Sequence, residues 1–218
     1  AWSGLTGERT AIYIKQLNSE TLLRLSDEPG WAAWPTWSPD GQTVAFVQTV
    51  AASSDICLVS SVGGAVRRVH SVTHLIEGLD WSADSTRLAY SARDTVSGEY
   101  RLYLLDLATL KAALVAVTRP DNAGDFQPRL APDGSQLAWI GHDRTGGQGL
   151  FVAAVEGGPA RAVVLGQDNL QGLAWAADGR TLVFAAAAAG IYDLWQVPAV
   201  GGAASKIALQ PVEKFQLV

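Results

Sequence analysis

The chain has 218 residues, of which 48% are hydrophobic and 17% charged, and it carries a formal net charge of −5. That composition excludes wholesale disorder, and the acidic balance argues against nucleic acid, whose phosphates demand a basic face. The longest apolar run, residues 182–189, falls far short of the ~20 residues of a membrane-spanning helix, and the single Cys57 excludes an internal disulfide or a multi-cysteine zinc site. Direct insertion of this segment into a membrane is therefore not expected. The chain lacks Met and starts at Ala1, which suggests a processed product or an excised fragment.

In chain order, Ala1-Trp2-Ser3 reads as the end of a strand, with further strands at 12–17 and 22–25. The next unit is more explicit. Residues 34–37 lead into Pro39-Asp40-Gly41, a turn in which Pro sets φ, Asp binds nearby backbone N–H groups and Gly accepts positive φ. Strands at 43–47 and 55–59 follow, then the Gly63-Gly64 turn and a fourth strand at 65–69. The phrase Trp37-Ser38-Pro39-Asp40-Gly41 then recurs as Trp81-Ser82-Ala83-Asp84-Ser85, Leu130-Ala131-Pro132-Asp133-Gly134 and Trp175-Ala176-Ala177-Asp178-Gly179. Its aspartates stand 44, 49 and 45 residues apart. A later marker repeats at Gly63-Gly64, Gly157-Gly158 and Gly201-Gly202, while the unit between carries Asp106-Leu107-Ala108-Thr109-Leu110.

Four strands in ~40–45 residues make one blade of a β-propeller. A sandwich gives no reason for four copies of one motif, and a solenoid repeats in shorter units. The expected fold is all-β, a single propeller domain over 1–218 with four-stranded antiparallel blades at about 31–70, 75–117, 125–165 and 169–209. A fifth blade is split between the termini: 1–25 supplies outer strands and 212–218 the innermost one, which protects the sheet edges. The turn phrase of that blade is missing, so a fragment of a larger propeller stands as the alternative.

The phrases Trp-Ser-Pro-Asp-Gly, then Ala-Phe or Ala-Tyr, then Asp55-Ile56-Cys57-Leu58-Val59 or Asp193-Leu194-Trp195-Gln196-Val197, then Gly-Gly, resemble the WD40-like PD40 repeats of TolB-type propellers. Similar repeats form the propeller half of prolyl oligopeptidase-like enzymes and sensor domains of CadC-like regulators. The resemblance covers almost the whole chain and departs from the pattern at Ala83, Ser85, Leu130 and Ala176-Ala177. It implies a non-catalytic binding scaffold or sensor module, bacterial and periplasmic or extracytoplasmic, or a domain of a membrane-anchored protein. The alternative it implies is the substrate-gating propeller of a serine peptidase. Fold alone does not choose between them.

The residues themselves offer little chemistry. No Gly-x-Ser-x-Gly nucleophile elbow occurs, and no catalytic group, cofactor or metal is expected. His70 and His74 share a segment that reads as loop, where i, i+4 spacing means little; His142 reads as loop too. Cys57 falls in a strand as a small core residue. The run from Asp121 to Asp125 is too poor in carboxylates for a calcium loop and reads as a turn. Asp40, Asp84, Asp133 and Asp178 occupy equivalent turns and are structural, and Trp37, Trp81 and Trp175 pack between blades.

Trp31 and Trp34 differ, because the positions matching Trp34 in the other copies are Gly78, Gln127 and Gly172. A large aromatic in one blade alone is either a local filler or a binding anchor. The longer, more varied connections on one face of a propeller are where recognition is expected: the inter-blade links and the turns at 48–54, 92–99, 141–148 and 185–191. The links carry Asp27, Glu28, Asp121, Asp125 and Asp168, with Glu77 just beyond, against Arg119. The expected partner is a protein or peptide, and a basic one would be steered to this negative face. Trp31, Trp34, Glu77, Asp125, Gln127 and Gln171 are the candidate contacts.

Overall fold

Short runs rich in β-branched and aromatic residues, separated by Asp and Gly turns, fold as strands throughout the residues described by the computed structural model, 1–6, 9–15, 21–27, 29–167, 169–188 and 191–208. They form five antiparallel sheets set as the blades of a five-bladed propeller. The first blade contains β1 (Trp2–Thr6), β2 (Arg9–Lys15) and β3 (Leu22–Arg24). The second contains β4 (Trp31–Trp37), β5 (Thr43–Val50), β6 (Ser53–Ser60) and β7 (Arg67–Val72). The third contains β8 (Ile76–Trp81), β9 (Arg87–Arg93), β10 (Tyr100–Asp106) and β11 (Lys111–Leu114).

After the two-residue β12 (Val117–Thr118), the fourth blade contains β13 (Asn122–Leu130), β14 (Gln136–Asp143), β15 (Gln148–Ala154) and, past the short β16 (Gly158–Pro159), β17 (Arg161–Gln167). The fifth contains β18 (Leu170–Trp175), β19 (Thr181–Ala188), β20 (Ile191–Pro198) and β21 (Ser205–Lys206). The strand proposed at 212–218, like Glu28 and Asp168, lies outside the described residues.

Successive strand residues point to opposite faces, and here both faces are buried. Val44 and Phe46 of β5 pack with Ile12, Ile14 and Leu25 of the first blade, while Ala45 and Val47 pack with Leu79, Trp81, Leu88 and Tyr90 of the third. Leu137 and Trp139 of β14 meet Ala89 and Leu102, while Ala138 and Ile140 meet Leu182 and Phe184. Among the described residues the core is a series of four apolar layers, one between each pair of successive blades from the first to the fifth. Cys57 belongs to the layer between the first two.

The repeated aspartates hold the first turn of the second to fifth blades. The hydroxyl of Ser38 donates to Asp40 Oδ1 at 2.5 Å and the Gln42 N–H to the same oxygen at 3.0 Å; Ser82, Asp84 and Thr86 repeat the arrangement. Where Ala131 and Ala176 replace the serine, Ser135 and Thr181 supply the hydroxyl to Asp133 and Asp178 instead. These bonds keep all four carboxyls below their ordinary range.

The link into the fourth blade contains a buried ion pair. Arg119 Nε donates to Asp125 Oδ1 at 2.9 Å, with side-chain exposures of 1% and 0%. The Trp139 indole donates to the same oxygen at 2.7 Å and the Asn122 amide to Oδ2 at 2.9 Å. The guanidinium also reaches the carbonyls of Gly124 and His142 and lies 4.5 Å from the centre of the Phe151 ring. A Cβ on Gly141 would stand 2.8 Å from Arg119 Cζ, so only glycine leaves room for it. Asp125, expected at the binding surface, is therefore an interior residue whose charge Arg119 takes up, and neither adds to the field of that face. Removing one partner of such a pair strands the other charge. Asp125→Ala is expected to lose roughly 3–5 kcal/mol of stability, read as a lower urea midpoint.

Candidate functional site

In four blades the inner strand carries an irregularity at the same place. Pairing with the second strand skips between Ala33 and Thr36, Ile76 and Leu79, Phe126 and Arg129, and Gln171 and Ala174. At each bulge one residue takes a left-handed backbone: Trp34 at φ 53°, Gly78 at 103°, Gln127 at 51° and Gly172 at 61°. Glycine adopts this conformation freely, whereas a residue with a Cβ pays roughly 1–2 kcal/mol. The close approach of neighbouring blades adds a second demand at Gly78, where a Cβ would meet Gln127 Cα at 2.6 Å. A bulge turns a side chain out of the regular alternation. Four such bulges around one axis present theirs to a common space.

That space is a cavity of about 480 Å³ lined by Trp34, Glu77, Phe126, Gln127, Ile140, His142, Gln148, Leu170 and Gln171. Four of the six candidate contacts, Trp34, Glu77, Gln127 and Gln171, thus line one site. Trp31, at the start of β4, is 55% exposed and stands outside the lining.

The sequence reading missed Phe126, Ile140, His142, Gln148 and Leu170. It assigned 141–148 to a loop, but β14 runs on to Asp143 and β15 begins at Gln148, and His142 pairs with Gln148 across the hairpin. The available signal was alternation carried two residues further along each strand.

Two lining side chains are locked. The Leu170 N–H donates to Gln148 Oε1 at 2.5 Å, which leaves the Gln148 amide N–H to donate to His142 Nε2 at 3.0 Å. The His142 proton then sits on Nδ1. Burial, then the charge of Arg119, lowers the affinity of His142 for a second proton, so it is neutral at pH 7. Its ring lies 4.6 Å from Phe126, which lies 4.7 Å from Tyr100. The Glu77 carbonyl accepts a hydrogen bond from the Ser91 hydroxyl, and burial raises the pKa of its carboxyl.

Further along the axis, Arg129 ties three blades together. Its Nε donates to the Leu173 carbonyl at 2.9 Å and its Nη1 reaches the carbonyls of Pro128 at 2.9 Å and Leu79 at 3.4 Å. Asp80 beside it accepts the Leu130 N–H at 2.8 Å. The Trp81 indole donates to the Thr36 carbonyl and that of Trp175 to the Arg129 carbonyl, each crossing to the preceding blade, while Trp37 is 41% exposed.

The other residues singled out from the sequence lie apart from this cavity. His70 is a strand residue of β7 whose Nε2 is 2.9 Å from the Tyr90 hydroxyl, and His74 lies beyond the strand end. Asp121 forms an exposed turn with φ 52°. Among the described residues no three His, Cys, Asp or Glu side chains gather in a way that would hold a metal ion.

Comparison with solved structures places this architecture. TolB from Acinetobacter baumannii superposes with a TM-score of 0.77 at 16% identity, over 91% of this chain and 48% of that one. The fold is that of a TolB-type propeller. A TolB-like protein from Agrobacterium tumefaciens gives 0.72 at 18% identity, over 90% of this chain and 73% of its own. No family model matches the sequence. Curated relatives include a tricorn protease homologue of Streptomyces coelicolor, 36% identical over 96 residues, and dipeptidyl-peptidase 5 of Porphyromonas gingivalis, 28% identical over 133 residues. These matches cover 42% and 56% of this chain but only 9% and 19% of the relatives themselves.

Asp80 supplies a test of the axial contacts. Burial raises its pKa to about 6, with Arg129 opposing the rise. A carboxyl whose pKa is higher folded than unfolded gives its full stability below the unfolded value and loses it as pH climbs through the folded one. Asp80→Asn keeps an oxygen for the Leu130 N–H and removes the charge. Its stability relative to the parent is expected to rise between pH 4 and pH 7 by about 2 kcal/mol, measured as the difference in urea midpoints across that range.

Proposed function

We propose that this propeller is a non-catalytic binding module that receives a protein or peptide segment at the cavity formed by the inner-strand bulges. The observation that carries the reading is the convergence of Trp34 and Gln127, both held left-handed where the other blades have glycine, with Glu77 and Gln171 on one 480 Å³ space. A backbone kept in an unfavourable region by a residue with a side chain points to selection for that side chain. The lining suits peptide recognition: aromatic surface from Trp34 and Phe126, and the amides of Gln127 and Gln171 for main-chain groups. The TolB-type fold supports an extracytoplasmic setting, as a scaffold or as the sensor part of a larger protein.

A second reading is favoured by the match to dipeptidyl-peptidase 5. In it the same cavity mouth would admit substrate to a hydrolase domain elsewhere in the protein. An α/β-hydrolase domain in the same reading frame would select that reading, and a winged-helix domain followed by a membrane span would select the sensor.

Selection of a displayed random-peptide library on the immobilised chain tests the binding reading. Enriched peptides are expected to bind Trp34→Ala at least tenfold more weakly, and peptides indifferent to that change would count against the cavity. Gln127→Gly is expected to separate binding from stability. It should weaken the same peptides while raising the unfolding free energy by about 0.5–1 kcal/mol, because glycine relieves the left-handed strain.

A further inference from the structure

Among the described residues, the cavity holds one carboxylate and no counter-charge. Among its described lining residues Glu77 is the one carboxyl, and His142 is locked to Gln148. Burial is what shifts Glu77, and among the described residues neither a hydrogen bond nor an ion pair engages its carboxylate. Three described cations of these blades, Arg119, Arg129 and Arg93, are committed elsewhere. Arg119 is closed against Asp125, Arg129 is bonded to three main-chain carbonyls, and Arg93 donates to the Gly98 carbonyl at 2.6 Å. A half-buried carboxylate facing an aromatic-lined space without a partner is an unfavourable arrangement for the empty protein. It becomes favourable when a cation arrives.

Building on the peptide-binding reading, we infer that the cavity is a subsite for the cationic side chain of a lysine or arginine. Glu77 supplies the counter-charge, and the Trp34 ring supplies a π-face of the kind that attracts ammonium and guanidinium groups. Trp34 packs against the layer containing Ile76 and Leu79, the residues on either side of the Glu77-Gly78 bulge, so the ring and the carboxylate belong to one wall. Gln127 and Gln171 line the same space, and an amide side chain carries an oxygen able to accept N–H groups from a ligand. The preference is local: one carboxylate and one ring, independent of the acidic residues of the outer links.

The test uses the full chain and defined probes. The tryptophan indole N–H signals are followed by NMR during titration with the peptides Gly-Gly-Lys-Gly-Gly, Gly-Gly-Arg-Gly-Gly and a norleucine counterpart, and separately with n-butylammonium chloride. The Trp34 signal is identified by its loss in Trp34→Phe. The lysine or arginine peptide is expected to bind roughly tenfold more tightly than the norleucine peptide, and Glu77→Gln, with a urea midpoint at or above that of the parent, to abolish the difference. Equal binding of the norleucine and cationic peptides overturns the cation subsite and leaves the peptide reading standing. A Trp34 shift with n-butylammonium that disappears in Glu77→Gln, with no peptide bound, upholds the subsite and removes the peptide reading. Silence of the Trp34 signal toward n-butylammonium and the cationic peptides alike overturns both.

Discussion

Burial of both faces of the middle strands is the condition on which this molecule depends. In β5 the residues at even positions close against the first blade and those at odd positions against the third, and β14 divides its side chains between the third and fifth blades in the same way. No single blade buries such strands by itself, because half of its apolar surface needs a neighbour. Blades must therefore come in series and face each other across apolar layers. Polar groups that enter those layers must be satisfied within them, as Asp125 is by Arg119, Asn122 and Trp139.

The inner strands answer a different demand. They converge on an axis where regular side-chain alternation would leave little control over what faces the centre. A bulge in each of four blades changes the direction of one residue, and the residue chosen differs from blade to blade. Glycine at 78 admits the neighbouring strand, whereas tryptophan at 34 and glutamine at 127 place large groups in the cavity at some conformational cost. Repetition supplies the frame, and departures from repetition supply the chemistry.

This division explains what the sequence made legible. The Pro-Asp-Gly and Gly-Gly phrases are local: each determines its own turn through hydrogen bonds to residues two or three positions away, so copies are recognisable without knowledge of the tertiary structure. The column of Trp34, Gly78, Gln127 and Gly172 was visible for the same reason, and the site follows from it. Its left-handed backbone was not visible, because tryptophan and glutamine have no local preference for that region and are held there by the sheet. Asp125 misled because its position in an inter-blade link suggests exposure, and only the three-dimensional path of Arg119 shows that the carboxylate turns inward. The connections taken for loops were in part strand, since polar residues such as His142, Gln148 and Gln167 end strands here without breaking their pairing.

The short β12 segment gives one boundary between blades a different character. Val117 and Thr118 leave the third blade and pair in parallel with Gly158 and Pro159 of the fourth, and the Gly158 and Ala160 N–H groups donate to the carbonyls of Ala116 and Thr118 at 2.9 and 2.8 Å. At the boundary between the second and third blades, the corresponding hydrogen bond comes from the Trp81 side chain. Main-chain stitching resists sliding in a way that a layer of rotatable side chains does not. The third and fourth blades are therefore joined through their main chains as well as through a packed layer, and a shear between them would have to break backbone hydrogen bonds before it could move side chains.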